Sequence, residues 1–219
     1  AAAGTWAATL LAAPDARFDV LTLVLVAWMA GWVLGPVLTS GAAVLRPEYF
    51  ALMPLHRRRL GVGLLASVFV GVGPLVTAVA VLALSAYAVS AGADPAGWLP
   101  AALLGIVGAA LLLVLLVALS RTVYALLGAA MRSRLGVEIA AIQYGLLIGG
   151  MFAGWLVVSP ALEAMPAFLR AGFTEPAVSA VLGWLPMGWP VRMVEASLDG
   201  DHAAALGWLG ALALVTGIV

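Results

Sequence analysis

The chain contains no cysteine and no lysine. Without cysteine it can hold no disulfide, thiolate nucleophile or zinc–thiolate site. Without lysine it cannot carry a Walker A loop, whose lysine reaches the nucleotide phosphates. All ten basic residues are arginine, so any ATP-driven work has to enter from a partner. Charge of either sign is scarce, 9% of residues against about 25% in ordinary soluble domains. Histidine is limited to His56 and His202, both outside the apolar stretches. No histidine metal cluster follows from them, and Ser67 and Ser85 have no histidine at their depth, which argues against an enzyme. No catalytic, metal or cofactor site is expected in this chain. The formal net charge is zero, and no nucleic-acid partner is expected.

What is present is apolar. The residues AVILMFWYC make up 65% of the chain and the mean hydropathy is +1.16. A chain with so little charge needs a solvent other than water, and lipid supplies it. A hydrocarbon core about 30 Å thick takes about 20 apolar helical residues. Five uncharged stretches meet that length or nearly do: Val20–Ser40, Leu60–Ala93, Leu99–Ser120, Ile139–Ser159 and Ala203–Val219. Ala1–Ala13 is also apolar but reaches only roughly 20 Å as helix, and it reads as the outer part of a first span. The expectation is an all-α polytopic transmembrane bundle of about six spans, the first and last truncated, forming a single transmembrane domain over 1–219.

Arginine placement sets an orientation. One loop carries Arg46, Arg57, Arg58 and Arg59; another carries Arg121, Arg132 and Arg134. The alternate loops hold Arg17, Arg170 and Arg192 among eight acids, from Asp15 and Asp19 to Asp199 and Asp201. The positive-inside rule puts the Arg57 and Arg132 loops in the cytoplasm. The acid-rich segment Pro160–His202 then lies outside. Pro160 suits a first helical turn behind Ser159 as N-cap, and Pro166 and Pro176 are expected to interrupt that helix. Val191–Leu198 reads as a further short helix stopped by Gly200, with Asp201 capping the next span. Trp184 and Trp189 suit an interfacial aromatic belt. Short outer helices between spans five and six are therefore expected, at or dipping into the outer leaflet.

Small residues recur four apart, at Gly31 and Gly35, Gly145 and Gly149, and Gly150 and Gly154. Such pairs let helices approach closely in lipid, within the chain or across a dimer, and packing within the chain is favoured. Pro74, beside Gly71 and Gly73, removes a backbone donor and is expected to kink the third span. Gln143 and Tyr144 sit about one turn inside the fifth span. They suit bonds to neighbouring helices or headgroups better than a polar path.

The first basic loop, LRPEYFALMPLHRRRL over Leu45–Leu60, carries the most information. Pro47 and Glu48 suit a helix N-terminus by fixed φ and by the helix dipole. Tyr49, Phe50, Leu52 and Met53 give a short helix an apolar face, and Pro54 stops it. Two readings stand side by side. Either Arg57, Arg58 and Arg59 serve an interfacial helix that holds anionic headgroups, or the loop is a knob docking into a cytoplasmic partner.

Here the sequence resembles the ABC-2-type transporter permeases, in particular the large actinobacterial ones. The resemblance rests on RPEYFALMPLHRRRLGVGLLASVFVGVGPLVT, Arg46–Thr77, and on WLPMGWPVRMVEASLDGD, Trp184–Asp201, together with the order of the spans over most of the chain. It implies a bacterial plasma-membrane permease bound from the cytoplasm by an ABC ATPase dimer, which holds the ATP and Mg. Pro47, Glu48, Tyr49, Phe50, Leu52, Met53, Arg57, Arg58 and Arg59 would form the coupling helix. A second permease half, in the same chain or in a homodimer, would complete a path through the membrane lipids for a hydrophobic or amphipathic export substrate. The rival readings are a gradient-driven secondary transporter or channel, and a membrane scaffold that moves nothing.

Overall fold

The computed structural model describes residues 2–38, 63, 66–67, 69, 71–92, 94–131 and 136–219. Among them every regular element is helical: α1 (Ala2–Leu11), a 3-10 turn (Pro14–Ala16), α2 (Arg17–Leu38), α3 (Val72–Val81), α4 (Ala83–Ala91), α5 (Pro95–Met131), α6 (Gly136–Ala171), α7 (Pro176–Trp184), α8 (Trp189–Leu198) and α9 (His202–Ile218). Among the described residues four segments are long and apolar enough to cross a membrane: Pro14–Gly35, Val72–Ala91, Pro95–Met131 and Ala140–Ala171. Helix is the form in which an apolar segment satisfies all its own backbone groups in lipid. α1 and α9 are apolar but shorter.

The ends of the helices follow local chemistry. Asp94 Oδ1 accepts the Gly97 amide at 2.7 Å, ahead of Pro95, and starts α5. Asp201 Oδ1 accepts the Ala204 amide at 2.9 Å and starts α9. Gly172 (φ +67°) ends α6 and Gly200 (φ +79°) ends α8, both in the left-handed region that glycine enters without a side-chain clash. Arg170 lies in the last turn of α6, where its charge suits the helix dipole.

Three expectations about proline and span limits are corrected. Pro74 lies in the first turn of α3, where its missing N–H is not asked for. The helix is not bent at Pro74 itself: the backbone is extended at Gly71 (φ −161°), just ahead of α3, and a second irregularity falls at Leu82 between α3 and α4. Pro160 does not begin a helix and Pro166 does not interrupt one, since α6 continues through both. Each proline removes only its own backbone bond, and the bonds on either side carry the helix on. The Ser159 hydroxyl donates to Glu163 within α6 and caps nothing. Finally, the Arg121 segment is helix: α5 runs on through Tyr124 to Met131.

α5 is the centre of the bundle, packed against α2, α3, α4, α8 and α9. Leu112, Leu115 and Leu116 of α5 meet Leu21 and Leu25 of α2, Leu84 and Tyr87 of α4, Val191 and Val194 of α8, and Leu212 of α9 in one core. Two glycines set the close approaches. A Cβ at Gly105 would stand 3.1–3.2 Å from the backbone of Leu84 and Ser85, and one at Gly108 would run into the Met193 methyl group. The glycine pairs marked by spacing behave differently. Gly31, Gly35, Gly145, Gly149, Gly150 and Gly154 have nothing within 4 Å of an added Cβ, so none of them packs helices within the described chain. α6 is the least embedded span. None of its most apolar window is buried, and Phe152, Trp155, Leu156 and Val157 lie open.

α7 and α8 add no span, as expected. They are not loose surface pieces, however. α8 places Pro190, Val191, Met193, Val194 and Ser197 on a buried face, at the spacing of one helical stripe, and wedges between α5, α4 and α9.

Candidate functional site

The segment singled out by sequence lies outside the described residues. This holds for Pro47, Glu48, Tyr49, Phe50, Leu52, Met53, Arg57, Arg58 and Arg59 alike. Two other constellations are built by the described helices.

The first is an apolar cleft of about 870 Å³ walled by α1, α2, α3 and α5. Val24, Ala27, Val72 and Val76 line it with the indoles of Trp28 and Trp32. Gly4, Gly31, Gly35 and Gly73 leave stretches of bare backbone on its walls. Its hydroxyls are largely turned on the protein itself. Trp28 Nε1 donates to Thr5 Oγ1 at 3.0 Å, and Trp32 Nε1 donates to Thr77 Oγ1 at 3.0 Å. Thr77 in turn donates to the Gly73 carbonyl at 2.9 Å. These bonds fix the two rings as walls and satisfy their polar ends, which lipid would not do. Ser120 and Tyr124, one turn apart on α5, complete the lining. Among the described residues no charged side chain lies on it. Such a cleft falls in the size range of small-ligand pockets, about 300–1,000 Å³, and offers an apolar molecule contact without desolvating a charge.

The second is a polar staple at the acid-rich end. Asp19, in the first turn of α2, accepts the Phe173 amide at 2.9 Å and the Ser179 hydroxyl of α7. Arg17 donates to the Ala12 carbonyl through Nε and to the Ser90 carbonyl and hydroxyl of α4 through Nη1. Tyr87 donates to Glu195 at 2.9 Å, linking α4 to α8. Burial pushes the Glu195 carboxyl above the usual carboxylate range. The Tyr87 hydroxyl and Arg192 pull it part of the way back, while Asp199 and Asp19 push it up. The Arg192 guanidinium lies over the rings of Phe18, Trp184 and Trp208, 5.5–6.0 Å from each centroid, and its Nε donates to the Gly183 carbonyl. Trp184 meets Trp208 edge to face and Trp189 lies tilted against it, so these indoles, expected as a belt, hold α7, α8 and α9 together.

Two of the polar residues weighed from the sequence separate here. Gln143 is buried, and among the described residues its Nε2 has no hydrogen-bond partner, so the expected bond to a neighbouring helix is not made by that group there. Tyr144 next to it is exposed. Missed altogether were Trp28 and Trp32, whose spacing of four residues on one face of α2 was the available signal. Buried Asp19 and half-buried Glu195 were placed only as loop acids, because their partners are remote in sequence.

Comparison of the chain with protein-family models, curated proteins and solved structures finds no match.

Proposed function

We propose that this chain is the membrane-spanning permease part of an ATP-driven exporter in the bacterial plasma membrane, crossing it about six times. A cytoplasmic ABC ATPase dimer supplies the hydrolysis, and the substrate is hydrophobic or amphipathic. The observation that carries the reading is the uncharged, tryptophan-walled cleft between α1, α2, α3 and α5, a site suited to an apolar molecule taken from lipid. The resemblance of Arg46–Thr77 and Trp184–Asp201 to ABC-2-type permeases supports it. The absence of lysine from the chain requires the ATPase to be a partner. In this reading Tyr49, Phe50, Leu52 and Met53 anchor the ATPase, and Arg57–Arg59 hold the rim of that contact or the headgroups.

The test is capture of the ATPase. Apolar aromatic anchors dominate interface energies, and truncating one commonly costs roughly 2 kcal/mol or more. Tyr49→Ala or Phe50→Ala is expected to weaken pull-down of a co-expressed ABC ATPase, or to uncouple its hydrolysis from transport, with membrane insertion unchanged. Full pull-down together with full transport in both variants overturns the coupling assignment.

One observation favours a gradient-driven transporter instead. Glu195 is a half-buried carboxyl with a raised affinity for protons, hydrogen-bonded to Tyr87 of a candidate span. Transport that follows a proton gradient without an ATPase, and is abolished by Glu195→Gln, selects that reading.

A further inference from the structure

We infer that the cleft holds one acyl chain of an anionic glycerophospholipid, with the ester group at Ser120 and the headgroup at Arg121. This deepens the reading of the cleft as a ligand site given above; it does not depend on ATP-driven transport. Depth is the first argument. α5 has 37 residues, about 55 Å of helix at about 1.5 Å per residue, so it overruns a hydrocarbon core about 30 Å thick. Counted from Pro95, Ser120 lies about 37 Å along the axis, at the level where fatty chains give way to esters and headgroups. Arg121 is the next residue on the same helix. It is partly exposed and makes no ion pair among the described residues.

Chemistry is the second argument. Ser120 is only 4% exposed, lines the cleft and makes no hydrogen bond among the described residues. The hydroxyls of Thr5 and Thr77, deeper in, are already engaged by Trp28 and Trp32. Among the described lining residues the cleft therefore asks for one hydrogen-bond acceptor near Ser120 and for nothing polar deeper in. An ester carbonyl followed by a hydrocarbon chain has that pattern. A peptide or a polyhydroxylated ligand would bury further donors without partners.

Shape is the third. Along α2 the lining extends from Gly35 to Val24, about 16 Å of axis, which suits an extended chain rather than a compact ring system. Gly31 and Gly35 leave open space on that wall, since a Cβ at either meets nothing within 4 Å. Anionic lipid is the choice of headgroup because Arg121 supplies the charge, and on the cytoplasmic side such lipids are abundant.

The experiment uses the full-length protein in non-ionic detergent, incubated with dioleoyl phosphatidylglycerol and examined by native mass spectrometry, with no ATPase present. The unaltered protein is expected to retain a single lipid. Gly31→Leu, which fills the cleft, should lower retention about tenfold or more, and Ser120→Ala should lower it several-fold. Gly149→Leu, on the open face of α6, should retain lipid like the unaltered protein. Dioleoyl phosphatidylcholine should be held less well than phosphatidylglycerol, and Arg121→Gln should remove that preference. If Gly31→Leu does not give monodisperse protein, quenching of indole fluorescence by a phosphatidylglycerol brominated on its chains replaces it. A quenched component that vanishes in Trp32→Phe then supports the site. Equal retention in Gly31→Leu and the unaltered protein overturns the proposal. So does equal quenching with and without Trp32, or no retention because another segment of the full chain fills the cleft. Failure of ATPase capture would leave the lipid result standing, so the two readings fail separately.

Discussion

The phenolic hydroxyl of Tyr87 donates a 2.9 Å hydrogen bond to Oε1 of Glu195, joining α4 to α8 across 108 residues of sequence. Both residues are screened from water by α5 and the elements around it. The carboxyl is therefore held where its charge is poorly solvated, and hydrogen bonds and charges compete over its proton.

That competition sets a pH dependence. The folded-state value of Glu195 is raised above 4.5, so the native state binds this proton more tightly than the unfolded chain does. Stability contributed by this group rises as pH falls from neutral through the raised value, and levels off below the unfolded value. Glu195→Gln should flatten the acid-side dependence of the melting temperature in detergent and raise stability at neutral pH. A melting curve whose pH dependence is identical in the variant would show that Glu195 does not titrate there.

Helix contact through glycine makes a contrasting pair. Gly105 meets the backbone of Leu84 and Ser85, whereas Gly149 faces open space. Gly105→Leu should therefore force α4 from α5 and cost about 3 kcal/mol or more, as overpacking of a tight core does. Gly149→Leu should leave single-chain stability within about 0.5 kcal/mol. Yield and monodispersity in detergent separate the two. If Gly149→Leu alone disperses an oligomer, that face of α6 contacts another chain.

At the end of α6, Gly172 combines a positive φ with contact to the Asp19 carboxylate. Gly172→Ala should cost roughly 1–2 kcal/mol for the left-handed backbone, and more because the new methyl group displaces a carboxylate that holds Phe173 and Ser179. Gly200→Ala shares the backbone penalty but meets no neighbour. Denaturation of the two variants should rank them in that order; equal losses would mean that Asp19 moves aside freely.

Topology is open to direct labelling because the chain has no cysteine. A single Ala171→Cys substitution puts a thiol at an exposed position at the end of α6. A membrane-impermeant maleimide should reach it from outside intact cells. Labelling only after the cytoplasmic face is opened would invert the proposed orientation.

Much of the helical architecture was legible because its causes are local. Apolar runs longer than a bilayer, Asp201 before α9 and Gly200 after α8 each act within a turn of themselves. What stayed hidden depends on distant partners. Asp19 and Glu195 read only as loop acids until Phe173 and, from α7, Ser179 close on Asp19 and α8 brings Glu195 to Tyr87 of α4. Spacing drew attention to Gly145 and Gly149, yet the close contacts are made by Gly105 and Gly108, because a repeat of four identifies a face but not what stands opposite it. Pro160 was read as a helix start and Pro166 as a break because proline is costly in isolated helices, but in α6 the loss is confined to single backbone bonds. The cleft was not foreseen, since its walls come from four separated helices. The residues of the expected coupling segment lie outside the described region.

The position of α8 has a consequence for the order in which the protein is made. Its buried face is received by α5 and α4, which leave the ribosome some 60 to 100 residues earlier. Until Trp189–Leu198 follows, the receiving surface around Leu112 and Tyr87 has no protein cover and must be sheltered by lipid or by the insertion machinery. Contacts so far apart in sequence close slowly, because the intervening chain must first surrender its freedom. The hairpin of α8 and α9 therefore covers a surface made well before it, and a chain halted before Trp189 would present that part of the bundle uncovered to the membrane's quality control.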